Sequence, residues 1–377
     1  MRCGWTRATG AAAATAAVWL VSLVSVAGQA GTEPPMSEAF FKNVQVLKGI
    51  PVDEFMDTMG MFAASLGYDC VSCHSPNIYE QRATAYAETT PLVQRARQMI
   101  VMVNTINKNY FAGQARVSCF TCHHAKNRPD FIPSLALQYG ELMDDPNAMA
   151  IFPDTRTTVD QVFAKYVQAL GGAGRLAALT GWVARGSYEG FNTGGNQFPI
   201  EIVARAPGQR TQVVRTSEGD AVKTFDGTSA WAAEGWRPMP LLALTRGNLE
   251  AARLEATVAF PAGLRQAFSQ WAISSTTIDN RIVQLLQGSN PNQLPVNFYF
   301  DESGLLVRIV RWNRTPVGTI PMQFEYADYR DVAGVKMPFR IVNTWTDGQN
   351  TIVLSDIQPN AAIPAARFAR PAPYQKR

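Results

Sequence analysis

Histidine and cysteine are scarce in this chain of 377 residues, and both are confined to its N-terminal third. There are three histidines and five cysteines, and residues 125–377 contain neither type. That absence excludes thiol catalysis, a serine–histidine triad and a histidine-bound metal from the C-terminal two thirds. The sequence also lacks the clustered Lys/Arg stripe that nucleic-acid binding needs.

Apolar runs long enough to span a bilayer are missing after residue 30. Within the first 30 residues, Arg2 and Arg7 precede an unbroken run of apolar and small residues, which ends in small residues suited to cleavage. We therefore predict that residues 1–30 are an export signal, cleaved near Ala30, and that the mature protein is periplasmic. An uncleaved membrane anchor is the alternative, because the run approaches the length of one span.

The four cysteines beyond the signal form two C-x-x-C pairs, each followed at once by histidine: CVSCH at 70–74 and CFTCH at 119–123. Two thiols at this spacing can add to the two vinyl groups of one haem, and the next histidine can then bind its iron. The sequence therefore predicts two covalently attached haem c groups. The predicted tethers are Cys70, Cys73, Cys119 and Cys122, and the predicted proximal iron ligands are His74 and His123.

Two other sites could use paired cysteines. A four-cysteine zinc ribbon has the same C-x-x-C repeat, but its ligand set is complete without histidine, so it leaves both adjacent histidines unexplained. A thioredoxin-like dithiol is disfavoured because neither pair opens the helix of a βαβ unit. Haem attachment explains all six residues.

The shortage of histidine also limits the second iron ligand. Once His74 and His123 are used, only His124 remains, so both haems cannot have two histidine ligands, and methionine is the alternative. We predict that His124 faces solvent or a partner; a hydrogen bond to a haem propionate is the other possibility. An amphipathic helix precedes each motif, and spacing alone does not choose its ligand among the candidates Met56, Met59 and Met61 in the first and Met99 and Met102 in the second.

Each helix has recognisable ends. The first is predicted to begin at Pro51 and to stop at Gly67, and the second to begin with Thr90 as its cap, followed by Pro91. Together with the lead-in NVQVL at 43–47 and the run RARQM at 95–99, these segments resemble a two-haem half of the cytochrome c subunit of photosynthetic reaction centres. The resemblance covers about residues 40–135.

The resemblance implies the distal ligands. In that family each haem is held by a helix that donates methionine, a turn and then CxxCH, which makes Met59 the distal ligand of the first haem and Met99 that of the second. The family's distal histidine before a CxxCH, and any third CxxCH, are absent from this chain. We therefore do not predict service to a reaction centre as the main role.

The pattern changes after the haem motifs. A polar, proline-containing stretch separates them from a helix, TVDQVFAKYVQALGG, and then from many short runs rich in β-branched and aromatic residues, with tight turns at Asp226-Gly227 and Asp347-Gly348. Residues 240–272 are predicted to be helical. This predicts a multidomain α and α+β protein, with an antiparallel half-barrel wrapping one or two helices. The predicted ranges are a dihaem cytochrome domain at 31–145, a linker at 146–156 and the half-barrel at 157–377.

The end of the C-terminal region, FEYADYRDVAGVKMPFRIVNTW at 324–345 and LSDIQPNAAIPAARFARP at 354–371, resembles the half-barrel of outer-membrane lipoprotein-sorting proteins. The resemblance implies a concave apolar face able to hold a lipid or quinone. We predict that the protein carries electrons between periplasmic or membrane-bound redox proteins, in preference to being an enzyme. Its C-terminal domain is predicted to dock a partner or to bind a lipophilic ligand. The alternatives are a dihaem peroxidase with an open distal position, and a lipid- or lipoprotein-binding module with haem as redox sensor.

Overall fold

A computed structural model describes residues 34–79, 82–132, 151–154, 156–235 and 237–376, all of which belong to one compact unit. The predicted export signal and part of the predicted linker lie outside these residues, and both stay predictions. Within the described ranges, no helix combines the length and the apolar character needed to cross a bilayer.

The region that carries the haem motifs is helical, as predicted. In α2 the chain enters from Pro51 and ends at Gly67, whose left-handed φ of 64° terminates the helix. In α5 the Thr90 side chain accepts a hydrogen bond from the Val93 N–H at 3.1 Å, so Thr90 is the predicted cap. The helices here are α1 (Ser37–Phe40), α2 (Val52–Leu66), α3 (Cys70–Cys73), α4 (Arg82–Ala85), α5 (Pro91–Tyr110) and α6 (Cys119–His123).

The C-terminal region is one large sheet with three helices. The helices are α7 (Val159–Ala169), α8 (Ala173–Ala178) and α9 (Arg246–Val258). The strands are β1 (Phe152–Pro153), β2 (Gly181–Gly190), β3 (Gln197–Arg205), β4 (Gln209–Thr216), β5 (Gly219–Phe225), β6 (Ala230–Ala233), β7 (Leu242–Leu244), β8 (Gln270–Ile278), β9 (Arg281–Ser289), β10 (Val296–Phe300), β11 (Leu306–Thr315), β12 (Gly318–Val332), β13 (Val335–Trp345) and β14 (Gly348–Pro359).

All strand pairs of this sheet in the described residues are antiparallel, in the order β1-β8-β9-β10-β11-β12-β13-β14-β2-β3-β4-β5-β6-β7. Two runs of hairpins, β2 to β7 and β8 to β14, join where β14 pairs with β2. Tight turns make the hairpins possible: Asp279 and Asn280, with φ of 48° and 61°, supply the twist that a two-residue turn needs. The predicted fold class is confirmed.

One sequence prediction for this region was partly wrong. Residues 240–272 were predicted to be helical, but only 246–258 form an α-helix, followed by a 3-10 turn at Pro261–Gln266. Strand β7 and the start of β8 occupy the two ends of the range. Two residues, Leu242 and Leu244, are too few to give a period-2 pattern. The sequence around them is therefore dominated by the helical pattern of α9.

The main core fills the concave face of the sheet. Helix α9 and the 3-10 turn connect β7 to β8 and lie inside the curve, where Trp182 on β2 donates from its indole nitrogen to the Ala259 carbonyl at 3.2 Å. Helix α7 closes the same space through Phe163 and Tyr166, which pack edge-on near Phe300. The half-barrel therefore wraps around helices, as predicted.

Candidate haem sites

The first CxxCH motif is a single helical turn with a fixed start. Asp69 caps α3 by accepting from the Ser72 N–H at 2.9 Å and from the Ser72 hydroxyl at 2.6 Å. Cys70 and Cys73 therefore stand three positions apart on one side of a helical turn. The His74 N–H donates to the Cys70 carbonyl at 2.9 Å, so the histidine directly follows the turn.

His74 is held in an apolar setting. Its ring packs edge-on against Tyr86 with centroids 5.0 Å apart, and its Nδ1 is buried without a hydrogen bond of ordinary geometry. Burial lowers the pKa of His74, and the nearby Tyr86 backbone opposes that shift without reversing it. A lowered pKa favours the neutral imidazole, which is the form that binds iron.

The second motif repeats this arrangement with a reciprocal cap. Ser118 and Thr121 cap each other's backbone at the start of α6, at 3.4 Å and 3.0 Å. The Nδ1 of His123 lies 2.9 Å from the Lys126 carbonyl. Because a carbonyl only accepts, Nδ1 carries the proton and Nε2 keeps its lone pair. That tautomer suits an iron ligand, so the residues present fit a haem at this motif.

The remaining histidine has a different setting. His124 follows α6 in the left-handed conformation, with φ of 47°. It is exposed, and its ring lies edge-on to Phe120 at a centroid distance of 5.3 Å. This exposure agrees with the expected solvent-facing position; its role stays a prediction.

The cysteine thiols do not suit a redox dithiol. All four predicted tethers are free thiols. Burial raises the pKa of Cys119 to about 11 and raises those of Cys70 and Cys73 as well, whereas a redox dithiol has a lowered pKa. Nor do three or more His, Cys, Asp or Glu side chains converge on a metal-sized site anywhere in the described residues, so the geometry gives no support to a zinc ribbon.

The five candidate methionines occupy different environments. Met61 is buried at 4% exposure in a small core with Ile100 and Cys119, and Met102 is 42% exposed. Met56 lines a cavity of the C-terminal region. Met59 and Met99 are both half-buried. Their assignment as distal ligands stays a prediction.

Two side chains connect the helices to the motifs: Thr90, which the sequence singled out only as a cap, and Asn107, which it did not single out. The Thr90 hydroxyl donates to the Cys73 carbonyl at 2.7 Å, which ties the start of α5 to the first motif. Asn107 is buried on α5, donates to the Val117 carbonyl at 2.7 Å and accepts from two backbone N–H groups of the same loop. Asn107 therefore fixes the loop that leads into the second motif. A polar residue within an apolar helical stripe was the available signal.

Helix α2 is also attached to the C-terminal region. Asp53, which is 1% exposed, accepts from the Thr245 N–H at 2.8 Å at the start of α9. One turn later, Asp57 accepts from Asn248 at 2.9 Å and from Asn313 at 3.3 Å. The sequence predicted both acids only as members of the amphipathic helix that begins at Pro51, without any contact to the C-terminal region. These contacts join the two regions, and the boundary near residue 150 stays a prediction.

Two hairpin tips of the half-barrel touch the haem region. The β11–β12 tip buries Val317 completely in the core that holds Met61 and Cys119. In the β13–β14 turn, Asp347 lies beside Gly60 of α2, and its charge helps to raise the pKa of Cys70, after burial. Each motif therefore has one hairpin of the half-barrel near it.

Gly318→Ala is expected to loosen the contact at the second motif. Gly318 has φ of 149°, and an added Cβ would lie 2.7 Å from the Ser118 Cβ and 2.8 Å from the Met61 Cε. We expect a loss of unfolding free energy about 1–3 kcal/mol larger than for Gly113→Ala. Gly113 is the matched control, since it has φ of 77° but no atom within 4 Å of an added Cβ. Equal losses in urea unfolding would contradict the close contact.

A cavity lies between α2 and the concave face of the sheet. Its volume is about 490 Å³, and Met56, Asp57 and Gly60 of α2 line it. Burial raises the pKa of Asp57 to about 6, an effect that its hydrogen bond from Asn248 only partly offsets. Helix α2 therefore carries both a candidate iron ligand and part of the cavity wall.

Both haem motifs lie in a stretch that is similar to a known family. Residues 10–139 match the family of the photosynthetic reaction centre cytochrome C subunit. The matched stretch includes α2 to α6, covers about a third of the chain, and supports covalent haem c and electron transfer by this region. The resemblance predicted for residues 40–135 is confirmed.

Solved structures similar to this chain are found among lipoprotein-sorting domains. A LolA superfamily protein from Nitrosomonas europaea is similar at 11% identity and a TM-score of 0.39, over 56% of this chain and 98% of its own. A lipoprotein-sorting domain from Vibrio parahaemolyticus is similar at 8% identity and a TM-score of 0.37, over 55% of this chain and 97% of its own. The resemblance predicted for the C-terminal region is thus found among solved structures.

Proposed function

We propose that this protein is a periplasmic dihaem c-type cytochrome that carries single electrons between periplasmic or membrane-bound redox proteins. The observation that best supports it is the contact of His123 Nδ1 with the Lys126 carbonyl at 2.9 Å, within a capped CxxCH turn. A capped CxxCH turn recurs at residues 70–74. Haem c, when bound, supplies an iron that takes up and releases one electron.

The chain's own residues define what each haem can do. The four cysteines would tether the two groups, and His74 and His123 would each bind an iron through an imidazole nitrogen. Met59 and Met99 would supply the second protein ligands. With histidine and methionine both bound, each iron would have no site open to oxygen or peroxide, and a methionine ligand would favour a raised reduction potential. Electron transfer without bond-making chemistry is the function that follows.

The C-terminal region has a second role in this proposal. Residues 157–377 form the half-barrel domain, joined by the linker at 146–156 to the cytochrome domain at 31–145. Its cavity of about 490 Å³ lies within the size range of small-molecule sites and has a largely apolar wall. We assign it to a lipophilic ligand, such as a lipid or a quinone, with docking of a redox partner on the same domain as the alternative.

Met59→Ala and Met99→Ala test the haem assignment. The purified protein should contain two haems per chain, and its ferric form should show the weak near-infrared band of methionine-ligated haem. Each substitution should remove about half of that band, because each removes one of two distal ligands. Absorbance per mole of protein measures the haem content, and near-infrared absorption measures the ligation.

Two methionines on the same helices are matched controls. Met56→Ala and Met102→Ala should leave the band unchanged, since Met56 lines the cavity and Met102 is 42% exposed. Loss of the band in a control, or retention in both test variants, would contradict the ligand assignment. A high-spin ferric haem in the unaltered protein would instead favour the peroxidase alternative, because that enzyme needs an open distal position.

A further inference from the structure

The wall of the cavity changes character along strands β11 to β14. At the end near α2, strands β11, β13 and β14 present a group of polar side chains beside the apolar Ile320, Pro321 and Met322 of β12, and at the opposite end the wall is mainly apolar. The polar group is Arg311, Asn313, Asn343 and Asn350, and the apolar group is Leu306, Met337, Leu354 and Ile357. Leu170 and Trp182 extend the apolar end. An elongated ligand with one polar end fits this gradient.

Arg311 is the least satisfied charged group in this wall. It is 4% exposed, and its Nε is buried without a hydrogen-bond partner. Its Nη1 donates to the Gly247 carbonyl at 3.1 Å and to Asn313 Oδ1 at 2.8 Å. A buried guanidinium N–H without an acceptor costs free energy, so an acceptor from a ligand would be bound favourably here.

Three half-buried cations of the cavity wall already have carboxylate partners. Glu255 binds Arg210 at 2.9 Å and Lys223 at 2.6 Å. Glu234 binds Arg237 at 2.7 Å. Lys336, which also lines the cavity, is exposed. Among the described residues, Arg311 is therefore the buried wall cation whose hydrogen bonds go to neutral groups.

Asp57 is not a hydrogen-bonded carboxylate partner of Arg311. Its charge and that of Arg311 influence each other across the cavity end. Its hydrogen bonds, however, come from Asn248 and Asn313, at 2.9 Å and 3.3 Å. An oxyanion from outside the chain would therefore meet an unused donor on Arg311 without displacing an existing ion pair.

We propose that the cavity binds a single-chain amphiphile with an oxyanion head, which pairs with the guanidinium of Arg311 while its alkyl chain lies against the apolar end. The inference rests on the proposed lipophilic-ligand role of the C-terminal domain and names the chemical class of that ligand. A carboxylate and a phosphate ester both supply such a head, and the choice of probes separates them.

The test uses the full haem-containing protein and three probes with the same alkyl chain: dodecanoate, dodecyl phosphate and dodecan-1-ol. Calorimetric titration should give tighter binding of one or both anions than of the alcohol, by about 10- to 100-fold, as expected for a hydrogen bond to a charged group. Tighter dodecanoate indicates a carboxylate ligand, and tighter dodecyl phosphate indicates a phosphate ester.

Arg311→Gln should remove this preference while retaining binding of the alcohol. Arg308→Gln is the matched control, because Arg308 is equally buried on β11 at 5% exposure but is bound to Glu325. It should keep the preference for anions. If Arg311→Gln does not fold, the comparison of anion with alcohol in the unaltered protein decides the question.

Two failures have different meanings. Equal affinity for alcohol and anions, or an anion preference that survives Arg311→Gln, would overturn the head-group inference and leave the lipophilic-ligand role standing. Absence of binding by all three probes would overturn both. Neither result bears on electron transfer, which depends on the haem content and ligation measured separately.

Discussion

Glu255→Gln is expected to lower the free energy of unfolding by about 3–5 kcal/mol at pH 7, the range found when one partner of a buried ion pair is removed. Glu255 lies on α9 inside the half-barrel, with its side chain 14% exposed. It binds Arg210 of β4 at 2.9 Å and Lys223 of β5 at 2.6 Å. The substitution therefore leaves two largely buried cations without a counter-charge, and urea unfolding measures the loss.

The effect should depend on pH in a defined direction. Burial raises the pKa of Glu255, but Lys223 and Arg210 outweigh it, so that the pKa lies below its usual value. A carboxyl group with a lowered pKa contributes its full stabilisation above the pKa of the unfolded chain, about 4.3 for glutamate. That contribution is lost as the pH falls through the lower pKa of the folded state. The difference between unaltered and variant protein should therefore be constant from pH 7 to about 5 and narrow below about 4.

A surface pair provides the control for this prediction. Glu218 binds Lys376 at 3.0 Å, but both side chains are at least 60% exposed. Glu218→Gln should change the unfolding free energy by less than about 1 kcal/mol. A loss in Glu255→Gln as small as that of the control, or one that persists unchanged at pH 3.5, would contradict the buried pair as its cause.

Local signals explain what could be predicted of the fold. Pro51 and Gly67 enclose α2, and Thr90 and Pro91 begin α5, because capping and helix-ending conformations depend on the residue at that position. The hairpins were predictable for the same reason, since a tight turn depends on a few adjacent residues. Where the local signal was short, as in β7, the prediction failed.

The partners of buried polar groups could not be predicted in this way. Asp53 is an ordinary acid in the first turn of α2, yet it binds Thr245, which lies 192 residues away. Arg311 lies between two apolar residues in β11, and nothing near it in the sequence shows that its Nε would lack a hydrogen-bond acceptor. Such pairings form only when distant elements pack against each other. They shape the cavity more than they shape the haem motifs.

The two CxxCH motifs could be recognised from the sequence because each is contained in five consecutive residues. What the sequence could not provide is the difference in their surroundings. Cys119 is 8% exposed and shares a core with Met61, Ile100 and Val317. Cys70 is exposed, and Cys73 is half-buried. The second motif is thus part of the contact between the helical region and the half-barrel, whereas the first lies at its margin.

Removing one haem at a time should expose this difference. The double substitutions Cys70→Ala with Cys73→Ala, and Cys119→Ala with Cys122→Ala, should each reduce the haem content from two per chain to one. The second pair should lower the melting temperature further, by about 1–3 °C, which corresponds to roughly 1–2 kcal/mol for a chain of this size. Haem absorbance per mole of protein and thermal unfolding provide the two measurements.

The two double variants serve as controls for each other, since each removes two thiols and one haem. A change in haem content without a difference in melting temperature would mean that the core around Cys119 does not depend on its haem. Unchanged haem content in either variant would contradict attachment at that motif. The expected asymmetry follows from the burial of Val317 and Met61 beside Cys119, which makes the second haem site also the place where the two regions of the chain pack together.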